Sequence, residues 1–334
     1  MAFVISATRA DQYMVRFLTL GHTYAKNTLI LTMAFIVANY VIARIIYMIK
    51  RTDDSDPLAW DKDYFRNYPI RTLIIGISGY VLTMTNFTLY KAGVIGRDGY
   101  LHDELFANLD RAIWGTDAWI RTHTWFPSVE ATAFFDYLYH PAFLPMLGGY
   151  LVCATSRSLP AIRLTYMTSF IVCFLIIGML MANAMSSAGP VYDGRLFGDG
   201  QRFKALVDRL DTLEQDIPRF HAAIFQDYLI ANKISQSAGF GSGITAMPSM
   251  HVVMAFLWTL AGWHIHRILG VILTVYAVLI WLISVHLGWH YFVDGLVAIA
   301  MTSLIWYCLG RALGLYRPKQ SAPQRSQQDH TALP

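Results

Sequence analysis

Charge is what this sequence has least of. Only 14% of its 334 residues are Asp, Glu, Lys or Arg, where a soluble domain carries about a quarter. Cysteine is as sparse. Cys153, Cys173 and Cys308 fall inside apolar runs at no spacing that suits a metal or a disulfide framework, and read as small buried residues. No small-residue cleavage site follows the first apolar run, so no cleaved signal peptide is expected. There is no internal repeat and no HExxH. The net charge of +4 says little by itself, and no nucleic-acid partner is expected.

What is there is hydrocarbon. Apolar residues make up 55% of the chain, aromatic ones 14%, and the mean hydropathy is +0.40. They come in runs rather than stripes, and a run of about 20 apolar residues is what a helix needs to cross a bilayer. Seven runs meet or approach that length: Thr28–Ile49, Ile70–Tyr90, Ala131–Ala154, Leu164–Asn183, Ser249–His264, Ile268–Leu287 and Tyr291–Leu313. The fifth is short, and its polar start predicts that its first turn sits in a water-filled recess. The fold class is all-α, a polytopic membrane helical bundle.

With loops alternating across seven spans, one side receives the short connections bearing Lys50, Arg51, Lys62, Arg66, Arg157, Arg163 and Arg267, and the tail with Arg317, Lys319 and Arg325. Basic residues in short loops mark the cytoplasmic side. The C-terminus is therefore expected inside and the N-terminus outside, although Arg9, Arg16 and Lys26 pull the other way. Residues 1–26 read as an amphipathic lead-in at the interface, 27–68 as a first span with its cytoplasmic loop, 69–314 as the main membrane domain, and 315–334 as a disordered tail. Two outer loops are long. The first carries Trp114, Trp119 and Trp125, suited to a helix at headgroup level. The second, 187–246, shows Phe203, Leu206, Val207 and Leu210 at helical spacing, continued by Ile217, Ile224 and Tyr228, and reads as a cap over the outer mouth.

The chemistry centres on histidines at the outer ends of spans. The fifth span runs inward from Ser249, turns at His264–Arg267, and the sixth returns to Leu287, so His251 and His290 reach the same depth on neighbouring helix starts. Asp294 follows His290 by one helical turn on the same face. A carboxylate there fixes the imidazole tautomer and raises the basicity of the other nitrogen, the orienting role a nucleophile needs. An ionisable residue inside a span is by default a functional hypothesis. A helix-locking hydrogen bond without chemistry is the plainer reading of the same pair. His286, one turn before His290, reads as lining the site, whereas His140, between Tyr139 and Pro141, reads as stabilising a kinked helix.

"MPSMH" at 247–251 followed by "SVHLGWHYFVD" at 284–294 resembles the second and third signature motifs of the type-2 phosphatidic acid phosphatase superfamily. The nearer likeness is to its branch that includes the inositol phosphorylceramide synthases. "NAMSSAGPVYDGR", Asn183 to Arg195, and "LDRAIWG" are similar to that branch too, and the likeness covers roughly Ile70 to Leu313. The resemblance implies a six-helix core to which the first span is an addition, and a phosphohistidine mechanism. His290 would attack phosphorus with Asp294 holding it, His251 would protonate the leaving oxygen and then deprotonate the acceptor, and Ser249 would hydrogen-bond a phosphate oxygen. Histidine chemistry of this kind needs no metal or cofactor.

Departures from the family pattern sharpen the expectation. Its phosphatases have a Lys and an Arg-Pro in the first motif and an Arg six residues before the nucleophilic His. Here that last position is Ser284, and the only Arg-Pro, Arg317–Pro318, lies in the tail. A phosphomonoester carries nearly two charges at neutral pH and a diester one. Fewer cations therefore suit transfer of a phosphorylated head group from a phospholipid donor to a lipid or alcohol acceptor better than hydrolysis of a monoester. Arg195 is the candidate for a remaining clamp, with a solvated loop arginine as its plainer reading. Two rivals stand beside this: a metalloenzyme using His286, His290 and Asp294 as ligands, and a transporter, which would show broken helices meeting at the bilayer midplane.

Overall fold

The computed structural model describes residues 2–51, 56–97, 99–143, 148–155, 159–196 and 201–316, with side chains from residue 11. The described residues form helices and no strand. Five helices are long and apolar enough to cross a membrane, and the 16-residue Met250–Ile265 is a shorter apolar one. The protein is a multi-pass α-helical membrane bundle. The expected tail lies outside the described residues from 317 onward.

The first helix, α1 (Ala2–Lys50), joins the expected lead-in and the first span without a break. At 1.5 Å per residue its 49 residues are more than twice the thickness of a hydrocarbon core. It runs antiparallel to α3 (Ile70–Gly93), with Thr28 and Thr32 buried and the Tyr24 hydroxyl 2.6 Å from Thr88 Oγ1. Between them α2 (Pro57–Arg66) closes the inner turn; Asp56 caps it and Asp61 pairs with Arg44 at 3.1 Å.

Two short helices, α4 (Asp103–Trp114) and α5 (Ala118–Trp125), lie over the outer end. The third apolar run is not one helix. α6 (Val129–Tyr139) stops at His140, a 3₁₀ turn spans Pro141–Phe143, and α7 (Gly149–Thr155) completes the crossing. Proline lacks the N–H that would continue the helix and its ring clashes with the preceding turn, which is why the run Ala131–Ala154 did not give a single rod. The break lies beside His251, whose ring stacks on Tyr139.

The fourth crossing, α8 (Pro160–Ala184), contains a π-helical stretch at Phe174–Met181. The outer cap is two helices, α9 (Lys204–Asp216) and α10 (His221–Ile234). Phe203, Leu206, Leu210 and Ile217 are buried as their spacing predicts, but Ile224 is 53% exposed, because α10 turns Ala222, Ala223 and Gln226 inward instead. Three helices finish the bundle: α11 (Met250–Ile265), α12 (Arg267–His286) and α13 (Phe292–Ala312). α11 is apolar on every face because neighbours surround it, with Val252, Val253, Ala255 and Leu257 all fully buried. α12 instead shows Ile268, Val271, Ile272, Val275 and Val278 on an exposed face, as a lipid-facing helix must.

Candidate active site

Three loops that are far apart in sequence meet at the N-terminal ends of α11 and α13. Gly288, at φ +73°, turns the chain after α12, and its carbonyl accepts the Val191 N–H at 2.9 Å. The Ala246 N–H reaches the Ser187 carbonyl at 2.8 Å. Gly189, at φ +98°, passes so close to Trp289 that a Cβ there would stand 2.5 Å from its carbonyl oxygen, so no other residue fits. Asp103 locks this junction: its carboxylate accepts from Ser187 Oγ, Ala188 N, Gly189 N and the Tyr291 hydroxyl, each at 2.9 Å.

Within that frame His290 and Asp294 meet. Asp294 Oδ2 lies 3.1 Å from His290 Nδ1 and accepts the Tyr291 N–H at 3.0 Å, and its side chain is fully buried. With Asp294 ionised the carboxylate can only accept, which puts the proton on Nδ1 and leaves Nε2 as the free nitrogen. The start of α13 is held from outside by Asp110, which accepts the N–H groups of Phe292 and Val293 at 2.7 and 3.0 Å. Burial pushes the Asp110 carboxyl up to about 7, with Asp294 and Asp117 adding to the rise and the two backbone bonds opposing it. The His251 ring faces His290 with centroids 6.4 Å apart, and packs on Tyr139 at 4.3 Å and Phe143 at 4.7 Å.

Both histidines open onto a cavity of about 280 Å³. Its deeper wall is apolar, formed by Tyr80, Met84, Phe174 and Met254 among others. Higher up, five lining polar atoms are buried without a partner: Tyr139 Oη, His140 Nε2, Tyr192 Oη, Thr245 Oγ1 and Trp289 Nε1. Among the described residues no group of three or more His, Cys, Asp or Glu side chains is placed to hold a metal ion.

The PAP2 superfamily profile matches residues 105–308, well over half of the chain. The chain belongs to the PAP2 superfamily. No curated protein and no solved structure matches it. Membership in the superfamily makes it a phosphatase- or phosphotransferase-type lipid enzyme. The matched stretch contains His251, His290 and Asp294 and all three loops that meet around them.

Not every residue expected at this PAP2-type site lines it. Ser249 is fully buried as the N-cap of α11, its Oγ accepting the Val252 N–H at 3.4 Å, and it does not face the cavity. Arg195 is drawn into the cap by Asp211 at 2.7 Å and Asp227 at 3.9 Å. It does not line the cavity either, because two carboxylates of α9 and α10 hold it elsewhere. His286 is turned away as well. Its ring stacks on His123 at 3.8 Å and its Nε2 lies 2.9 Å from Thr132 Oγ1. This places it in a buried joint between cap and bundle, away from His290 and Asp294 as a common ligand set. In that joint Arg209 donates to His123 Nδ1 at 2.6 Å, and burial together with the arginine's charge lowers the His123 pKa to about 4.

Two cavity residues were not expected at the site. His140 is more than a kink stabiliser: it lines the cavity, and Asp136 holds its Nδ1 at 2.9 Å. The Asp136–His140 spacing of four, mirroring His290–Asp294, was the available signal. Lys91, at the end of α3, is the other.

Proposed function

We propose that this PAP2 enzyme transfers a phosphorylated, hydroxyl-rich head group of the inositol-phosphate type from a phospholipid donor to a lipid alcohol, through a phosphohistidine on His290. The observation that carries the reading is the His290–Asp294 pair facing His251 where both histidines line one cavity. His290 Nε2 attacks phosphorus, and Asp294 stabilises the imidazolium that forms. The bond to the departing alkoxide breaks as His251 delivers its proton. The incoming hydroxyl then gives its proton to His251 and takes the phosphoryl group, freeing His290. Hydroxyl- and N–H-bearing side chains along the lining, Tyr139, Tyr192, Tyr228 and Trp289 among them, suit a polyol, and the apolar wall suits the first part of a lipid chain. The likeness of 183–195 to the inositol phosphorylceramide synthase branch points the same way. The site faces away from the cytoplasm in this reading, with the C-terminus inside.

Purified protein in detergent with EDTA, given a phospholipid donor plus a lipid alcohol and separately a phosphomonoester lipid, tests this by mass spectrometry. A new head-group-bearing lipid formed only with acceptor, and absent with His290→Ala, is expected. Rapid release of inorganic phosphate from the monoester, lost in the variant, would make the protein a lipid phosphate phosphatase instead. No product from either, with wild type and variant indistinguishable, would return the transporter reading.

A further inference from the structure

The PAP2 match begins at residue 105, yet the cavity wall includes residues of α1 and α3 that precede it. Lys91 is one of these. Of all the residues that line the cavity it is the only lysine or arginine. It is half-buried in the last turn of α3 and stands near enough to His251 to interact with it electrostatically. No carboxylate pairs with it among the described residues; its ammonium lies 5.8 Å over the Phe87 ring. An ammonium drawn from water without a counter-charge is costly, which is why such groups are found paired.

Three arginines of the cap region are engaged elsewhere. Arg195 belongs to Asp211 and Asp227, Arg202 to Asp117, and Arg209 to His123 and the Pro127 carbonyl. Lys91 is also held in place. Gly243, at φ +99°, lets the loop before α11 lie directly on it: a Cβ at 243 would stand 2.6 Å from Lys91 Cγ and 2.9 Å from the Ala92 nitrogen. The loop that delivers Pro248 and His251 is thus seated against the stem of the one cation facing them.

We propose that Lys91, from outside the family-matched segment, is the group that holds the substrate phosphate, and that its single charge selects a monoanionic phosphodiester over a dianionic monoester. This rests on the phosphoryl-transfer reading above. One ammonium neutralises one charge; a monoester would bring nearly two into a cavity with no second cation to meet it. A lysine in the last turn also complements the helix dipole, and that role alone would leave ligand binding untouched.

The test uses the full chain in detergent carrying His290→Gln, so that ligand is bound and not consumed. Dioctanoyl phosphatidylinositol and dioctanoyl phosphatidic acid are titrated calorimetrically at low and high salt, with Lys91, Lys91→Arg and Lys91→Met. The diester is expected to bind more tightly than the monoester. Lys91→Met should weaken diester binding at least tenfold, about 1.4 kcal/mol, and flatten its salt dependence, while Lys91→Arg keeps most of the affinity. Diester binding by a folded Lys91→Met protein within twofold of its parent would overturn the role of Lys91 and leave the phosphodiester site standing. Tighter binding of the monoester would overturn the selectivity. Binding of neither lipid by any form would sink the phosphoester reading and Lys91 with it.

Discussion

Replacing Asp110 with Asn should make the protein less stable in acid and more stable in mild base. Asp110 is 3% exposed and caps α13 through Phe292 and Val293. Its carboxyl is raised from 3.8 to about 7, chiefly by burial. The folded protein therefore holds this proton more tightly than the unfolded chain does. The resulting stability is fully present below pH 3.8, declines as pH rises, and is gone above about 7. At 1.36 kcal/mol per pH unit the gap amounts to roughly 4 kcal/mol. Asparagine never ionises, so it removes that dependence, but its single carbonyl leaves one of the two N–H groups poorly served, a cost of about 1–3 kcal/mol. The two effects cross. The variant should melt below wild type at pH 4–5 and above it at pH 8, the difference swinging by on the order of 10 °C in detergent-solubilised protein. Melting curves of both proteins across that range, in matched buffers and salt, read this directly. A difference that stays constant with pH, or swings the other way, would refute the assignment of the raised carboxyl to Asp110.

Asp294→Asn should lower turnover by roughly 10³- to 10⁴-fold, as removing the orienting carboxylate does where a histidine must hold one tautomer, with lipid affinity little changed; kcat and KM measured separately check it. Asp136 accepts from His221 N, His221 Nδ1 and Ala222 N at 2.7–2.8 Å besides holding His140. Asp136→Ala uncaps α10 and strands buried N–H groups, which should cost roughly 3 kcal/mol and expose residues 201–246 to limited proteolysis before the bundle melts.

How much of this was written in the sequence depends on which physical signal carried it. The crossings were legible because hydrocarbon thickness sets helix length, and five of the apolar runs became long apolar helices within a few residues of their expected bounds, except that α1 starts far earlier. α11 follows its run as a shorter helix with Ser249 as its cap. The broken third crossing was missed because hydropathy does not register that Pro141 removes a donor; reading His140–Pro141 as a helix end would have found it. The His290–Asp294 contact was legible because a spacing of four on a helix fixes which side chains meet. Arg195 and His286 were not, because their positions depend on Asp211, Asp227, His123 and Thr132, which come from other elements. Local spacing says nothing about partners that only tertiary packing supplies.

The same distinction explains how the site is divided along the chain. His251, His290 and the loops around them lie within residues 105–308, and carboxylates brace them: Asp110 fixes the start of α13, Asp294 lies against His290, and Asp103, just before the matched stretch, ties the 187–189 loop to Tyr291. These bonds bear on where phosphorus chemistry can occur and say little about which lipid arrives. The opposite wall is made by Tyr24 of α1 and by Tyr80, Met84, Phe87, Thr88 and Lys91 of α3, none of them in the matched stretch. Tyr24 and Thr88 are joined at 2.6 Å, and the Gly241 N–H reaches the Tyr24 hydroxyl at 3.3 Å, so this wall is fastened to the loop that leads into α11. A change in that wall can alter the shape and charge offered to a substrate without moving His290 or Asp294. Selectivity is therefore best sought by substitution in α1 and α3, and rate by substitution among the carboxylates that hold the histidine loops.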